Sequence, residues 1–151
     1  MKNLYYLLSF FILLGSCNNI NMKKEKIITG NWNYFQSNGA YAEVYFDSKF
    51  MNFYEYDIGL RSQIKYLIIK DSIYINNKNT EQYKNLGKLF FKNNNILVIE
   101  NANDTSYLYR IDKKQFTIDK LKNKDDESIY LIEFHKRKNL LLSTIPDGAD
   151  L

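Results

Sequence analysis

From Thr29 onward the chain is cut into short runs rich in tyrosine, phenylalanine, isoleucine and valine, with polar or glycine-containing breaks about 8 to 12 residues apart. The breaks fall at Ser37-Asn38-Gly39, Asp47-Ser48-Lys49, Asp57-Ile58-Gly59, Lys70-Asp71-Ser72, Lys92-Asn93-Asn94-Asn95, Asn101-Ala102-Asn103-Asp104 and Asp112-Lys113-Lys114. Inside the runs the side chains alternate. Ala42, Val44 and Phe46 share one face, as do Ile64, Tyr66 and Ile68, and Tyr107, Tyr109 and Ile111. A period of 2 is the strand period and competes successfully here with the helical 3.6. The pattern predicts an all-β domain, an antiparallel meander of sandwich or barrel type.

Three stretches interrupt it. Asn76 to Asn85 is polar and reads as a loop or short helix. Lys113 to Glu127 is mixed, with Phe116, Thr117 and Ile118 favouring a strand and the charged remainder favouring neither state. Ile129 to Phe134 reads as a strand and Leu140 to Ile145 as another, before a flexible tail over 146–151. No repeat is present, and 151 residues suit one domain, placed at 27–145.

The N-terminus carries an address. Lys2 precedes an apolar run from Leu4 to Leu14, too short for a spanning helix of about 20 residues and suited to a secretory signal. Leu14-Gly15-Ser16-Cys17 follows and resembles the lipobox of bacterial lipoproteins, and Cys17 is the only cysteine of the chain. The competing account is a plain signal peptide with a chance cysteine, or a buried free thiol. The resemblance implies cleavage between Ser16 and Cys17, acylation of Cys17, a signal peptide over 1–16 and a lipidated tether over 17–26. More than one acyl chain makes anchoring stable. By the sorting rules of such lipoproteins, Asn18 after the cysteine points to the outer membrane. The absence of an acidic cluster in Asn18 to Lys24 points to its periplasmic face.

A second resemblance lies in Gly30-Asn31-Trp32, opening the first strand, and in Tyr107-Leu108-Tyr109-Arg110 on a late hairpin. Together they resemble small barrels of lipocalin-like families, in which a tryptophan closes one end and an arginine from a late strand covers it. The resemblance implies that Gly30, Trp32 and Arg110 meet at a barrel end. The runs before Ile111 count to fewer than eight strands, so an open or two-layer sheet stands beside the closed lipocalin-like barrel.

Few chemistries find their residues. A net charge of +4 arises from 21 basic against 17 acidic residues spread along the chain, which is no nucleic-acid footprint. The single histidine, His135, has no cysteine of the mature domain as co-ligand and reads as an edge-strand or turn residue in the basic run His135-Lys136-Arg137-Lys138. That run is either a solvated turn or a contact for anionic lipid. Glu43, Glu55, Asp57, Glu100 and Glu133 lie on or beside predicted strands, where carboxylates are usually solvated on the outer face and unsuited to paired acid–base work. No phosphate-binding glycine loop, calcium loop or nucleophile elbow occurs. The expectation is a protein with no catalytic residues, metal or cofactor. Tyr34, Tyr41, Tyr45, Tyr54 and Tyr56 are the candidate contacts for an apolar ligand in a β cup, or for a protein partner such as an inhibited enzyme, a toxin or an envelope complex.

Overall fold

The computed structural model describes residues 28–36, 39–76 and 82–144. The expected signal peptide with its cleavage site at Ser16 and Cys17, the expected tether and the expected tail therefore lie outside the described residues. Among the described residues nine strands run in order: β1 (Gly30–Phe35), β2 (Tyr41–Phe46), β3 (Phe50–Glu55), β4 (Gly59–Leu60), β5 (Ile64–Ile69), β6 (Ser72–Asn76), β7 (Tyr83–Asn93), β8 (Ile96–Glu100) and β9 (Thr105–Arg110). All pairings are antiparallel. Eight strands close into a ring, β1-β2-β3-β5-β6-β7-β8-β9 and back to β1, while two-residue β4 is appended to β3. The all-β, lipocalin-like closed barrel is thus the architecture, and the open-sheet alternative falls. Eight ring strands precede Ile111, and β7 begins inside the polar stretch expected as a loop or short helix: Tyr83, Lys84 and Asn85 are exposed yet paired to β6.

Two seams of the ring are short. β1 meets β9 only through Trp32↔Arg110 and Asn33↔Tyr109, and β3 meets β5 only through Phe50↔Lys65 and Met51↔Ile64. They divide the barrel into a three-stranded half, β1–β3, and a five-stranded meander, β5–β9. A bulge bends β7 at Gly87, whose φ of 153° and whose would-be Cβ, 2.6 Å from the Glu100 carbonyl, leave room for no side chain.

After β9 the chain makes a 3₁₀ turn at Ile118–Lys120 and then a helix, α1 (Lys124–Leu142). This corrects the strands expected at Ile129 to Phe134 and Leu140 to Ile145, as far as Leu142. The helix starts at a capping box: the Asn123 side chain accepts from the Asp126 N–H, and Asp126 accepts from the Asn123 N–H. Asp125, Asp126 and Glu127 in its first turn suit the positive end of the helix dipole.

Two cores result. One fills the barrel with Trp32, Val44, Phe46, Met51, Tyr66, Ile68, Ile73, Leu89, Leu97, Ile99 and Leu108, capped by Ile28. The other lies between α1 and the outer face of β1–β3 and is built on Tyr41, Tyr54, Ile118, Tyr130 and Phe134. β2 is therefore buried on both faces. Among the described residues no helix is long and apolar enough to cross a membrane.

Candidate functional site

The meander sorts its turns to two ends. Ile28 lies at one end, together with the turns 47–49, 70–71 and 94–95; the turns 56–58 and 101–104 lie at the other, with the strand ends Phe35, Tyr41, Asn76 and Tyr83. The Ile28 end is plugged. Trp32 is fully buried, its indole N–H donates to the Ile28 carbonyl at 2.8 Å, and the Arg110 guanidinium lies 4.0 Å from the indole centre. Arg110 also donates from Nε to the Asn94 carbonyl and from Nη1 to the Thr29 carbonyl, both at 3.2 Å, and burial lowers its pKa. Gly30, at φ 130°, leaves the space: a Cβ there would stand 3.1 Å from Arg110 Nη1. The structure thus brings together the three residues singled out for barrel closure.

The opposite end is open. There the barrel interior keeps a cavity of about 170 Å³, lined by Tyr34, Val44, Phe46, Met51, Phe53, Leu86, Ile99 and Leu108, with Asn101, Asp104 and Ser106 at its rim. Burial, reinforced by Glu55 and opposed by Arg61, pushes the Tyr34 phenol up to about 12, so it remains a neutral donor at physiological pH. Glu55 and Arg61 pair at 2.9 Å.

Only Tyr34 of the five candidate tyrosines lines this cavity. Tyr41 and Tyr54 are buried beneath α1, with ring centres 4.8 and 5.3 Å from that of Phe134. Tyr45 is half-buried at the edge of the same core, its pKa raised by burial, Asp119 and Asp47. Tyr56 is exposed and meets the His135 ring edge-on at 5.1 Å. His135 thus sits on a helix, not on an edge strand or turn.

The larger correction concerns Glu43 and Arg137, placed by sequence on a solvated face and in a basic run. Glu43 is fully buried and accepts from Tyr41 Oη at 2.7 Å, Tyr130 Oη at 2.7 Å, Arg137 Nε at 2.7 Å and Arg137 Nη2 at 2.9 Å. Arg137 gives its remaining nitrogen to the Phe116 carbonyl at 3.0 Å. Burial pulls the Arg137 pKa down, but the bonds and charge of Glu43 outweigh it and the net shift is upward. The Tyr41 and Tyr130 phenols are raised by burial first and by Glu43 second. With every acceptor direction of the carboxylate occupied, the cluster ties helix to barrel and offers nothing to a substrate.

Of the remaining carboxylates, Glu55 pairs with Arg61 and Glu133 with Lys136, while Glu100 stands across the sheet from Lys88 and Thr105. Among the described residues no group of three or more histidine, cysteine, aspartate or glutamate side chains is arranged to hold a metal. The geometry defines a small antiparallel barrel, plugged at one end and open to a narrow apolar cavity at the other. Comparison with protein-family models, with curated proteins and with solved structures finds no match.

Proposed function

We propose that the chain is a lipid-anchored lipoprotein of the bacterial outer membrane, facing the periplasm, whose barrel holds a slender apolar group without transforming it. The open-end cavity carries this reading. At about 170 Å³ it falls below the 300 Å³ or more of pockets for drug-sized ligands. It resembles in size the roughly 150 Å³ apolar cavities that take up benzene. One ring or the end of one acyl chain fits, with Tyr34, Asn101 and Ser106 available to a polar head. The non-enzymatic reading is supported by the positions of His135, against an aromatic ring, and of Glu43, sealed by four donors. The anchor rests on the lipobox at Leu14-Gly15-Ser16-Cys17.

Lipid extraction from the purified full chain, followed by mass spectrometry, tests the cavity. An apolar compound should accompany the wild type and be absent from Leu86→Trp, which fills the mouth, while the thermal midpoint is retained. A wild type free of such compounds counts against ligand binding. Labelling with a radioactive fatty acid tests the anchor: it should vanish in Cys17→Ser, and persistent labelling would overturn it.

One observation favours a protein partner instead. The outer face of β7–β9, which α1 leaves bare, exposes Phe90, Tyr107 and Tyr109, with Lys92 Nζ 5.8 Å from the Tyr107 ring centre. On that reading, Phe90→Ser with Tyr107→Ser abolishes capture of a partner and leaves the lipid content unchanged.

A further inference from the structure

We infer that the plugged end of the barrel is a lipid-facing surface that rests on anionic headgroups. The inference deepens the anchored reading and rests on it. The turns gather at this end charges that are far apart in sequence: Lys49, Lys70, Lys92, Lys113 and Lys114, all exposed, with Arg110 over the plug. Against them stand Asp47, Asp71 and Asp112. Asp47 and Asp112 are also turned inward to backbone N–H groups, Asp47 to those of Lys49 and Phe50 and Asp112 to that of Lys114. Asp119 and Lys120, one of each sign, lie beside this end on the helix side. The open end is nearly balanced around its mouth, where Glu55, Asp57, Glu100 and Asp104 are met by Arg61, Lys84 and Lys138.

Charge sorting coincides with chain direction. Ile28, where the described chain begins, packs into the plug, and the sequence just before it adds Lys23, Lys24 and Lys26 against Glu25. An anchor at Cys17 therefore reaches the barrel from its basic end. Tyr109, partly exposed beside Arg110 and Lys113 around a shallow depression, has the amphipathic ring that settles at headgroup level. Lysines within a Debye length of an anionic surface, about 10 Å at 0.1 M salt, are attracted to it. This orientation turns the cavity mouth away from the anchoring membrane. It also separates this surface from the His135-Lys136-Arg137-Lys138 run, which has lost Arg137 to the core and whose Lys138 lies with the open-end residues Ala40 and Asp57.

Amine-reactive footprinting of the full chain on vesicles reads the surface lysine by lysine. On phosphatidylethanolamine–phosphatidylglycerol vesicles, acetylation of Lys49, Lys70, Lys92, Lys113 and Lys114 should slow about fivefold relative to phosphatidylcholine vesicles, as attraction of this strength implies. Lys84 and Lys138, at the open end, serve as controls and should react alike on both. A chain held by both vesicles with equal labelling everywhere, or with Lys84 and Lys138 protected instead, overturns the inference and leaves the anchor standing. A chain held by neither vesicle sinks the anchored reading and this one with it. Protection that appears only on native membranes and disappears after their proteins are digested assigns the surface to a protein partner, and overturns the lipid assignment.

Discussion

At the scale of single residues, Glu43 shows where reading the chain in pattern stops. The period-2 rule places it opposite Ala42 and Val44, and that is correct. What alternation does not carry is whether the outer face is wet, because that depends on an element 94 positions away, where Arg137 supplies the counter-charge. Burial of both charges costs desolvation, which the four donors to Glu43 offset only while all are in place. Glu43→Gln keeps the size but leaves the Arg137 guanidinium buried without a counter-charge. Denaturant unfolding should show a loss of about 3 to 5 kcal/mol. Replacing both partners with apolar residues, Glu43→Leu with Arg137→Met, should recover most of that loss. A double variant as unstable as Glu43→Gln would mean that the cluster contributes well beyond the pairing of its charges.

At the scale of elements, the strands were legible and the helix was not. Turn residues and alternation mark every strand except the ends that border 77–82, where exposed polar residues lie on paired backbone. In α1 the buried positions Tyr130, Phe134 and Arg137 do follow helical spacing, with Leu141 packing one turn further on. That stripe is obscured by apolar residues on the solvent side: Ile129, Ile132, Leu140 and Leu142 are all exposed. Read as a strand, Tyr130, Ile132 and Phe134 share a buried face; read as a helix, Ile132 points outward. The two readings differ in one substitution. Ile132→Lys should change stability by no more than about 0.5 kcal/mol, the ordinary range for surface positions. Phe134→Ala should cost about 3 to 5 kcal/mol. A large loss at Ile132 in thermal or denaturant unfolding would contradict the helical register.

At the scale of the whole molecule, closure depends on two short seams, and the β1–β9 seam is the one reinforced by side chains. Trp32 and Arg110 are direct cross-strand partners on it, although 78 positions separate them. Their meeting was legible because a tryptophan two residues after a glycine and an arginine on a late strand form a recognisable pair, whereas the β3–β5 seam has no such signature. The guanidinium at 4.0 Å from the indole centre is well within the roughly 6 Å over which a cation is drawn to an aromatic face. Its bonds to the Thr29 and Asn94 carbonyls hold it there and join the chain entry to the β7–β8 turn. Trp32→Ala alone decides nothing about this pairing, since removing a buried indole costs about 3 to 5 kcal/mol whatever covers it. A double-mutant cycle isolates the contact. Trp32→Phe weakens the aromatic face while keeping a ring in the core, and Arg110→Lys keeps the charge while losing the planar fork. If the pair closes the barrel, equilibrium unfolding of the two single variants and the double variant should give a coupling of about 0.5 to 2 kcal/mol. That range starts where additivity error, about 0.3 to 0.5 kcal/mol, ends. Simple additivity would reduce Arg110 to a ligand of two carbonyls and leave the closing of the ring to the two backbone pairings of the seam.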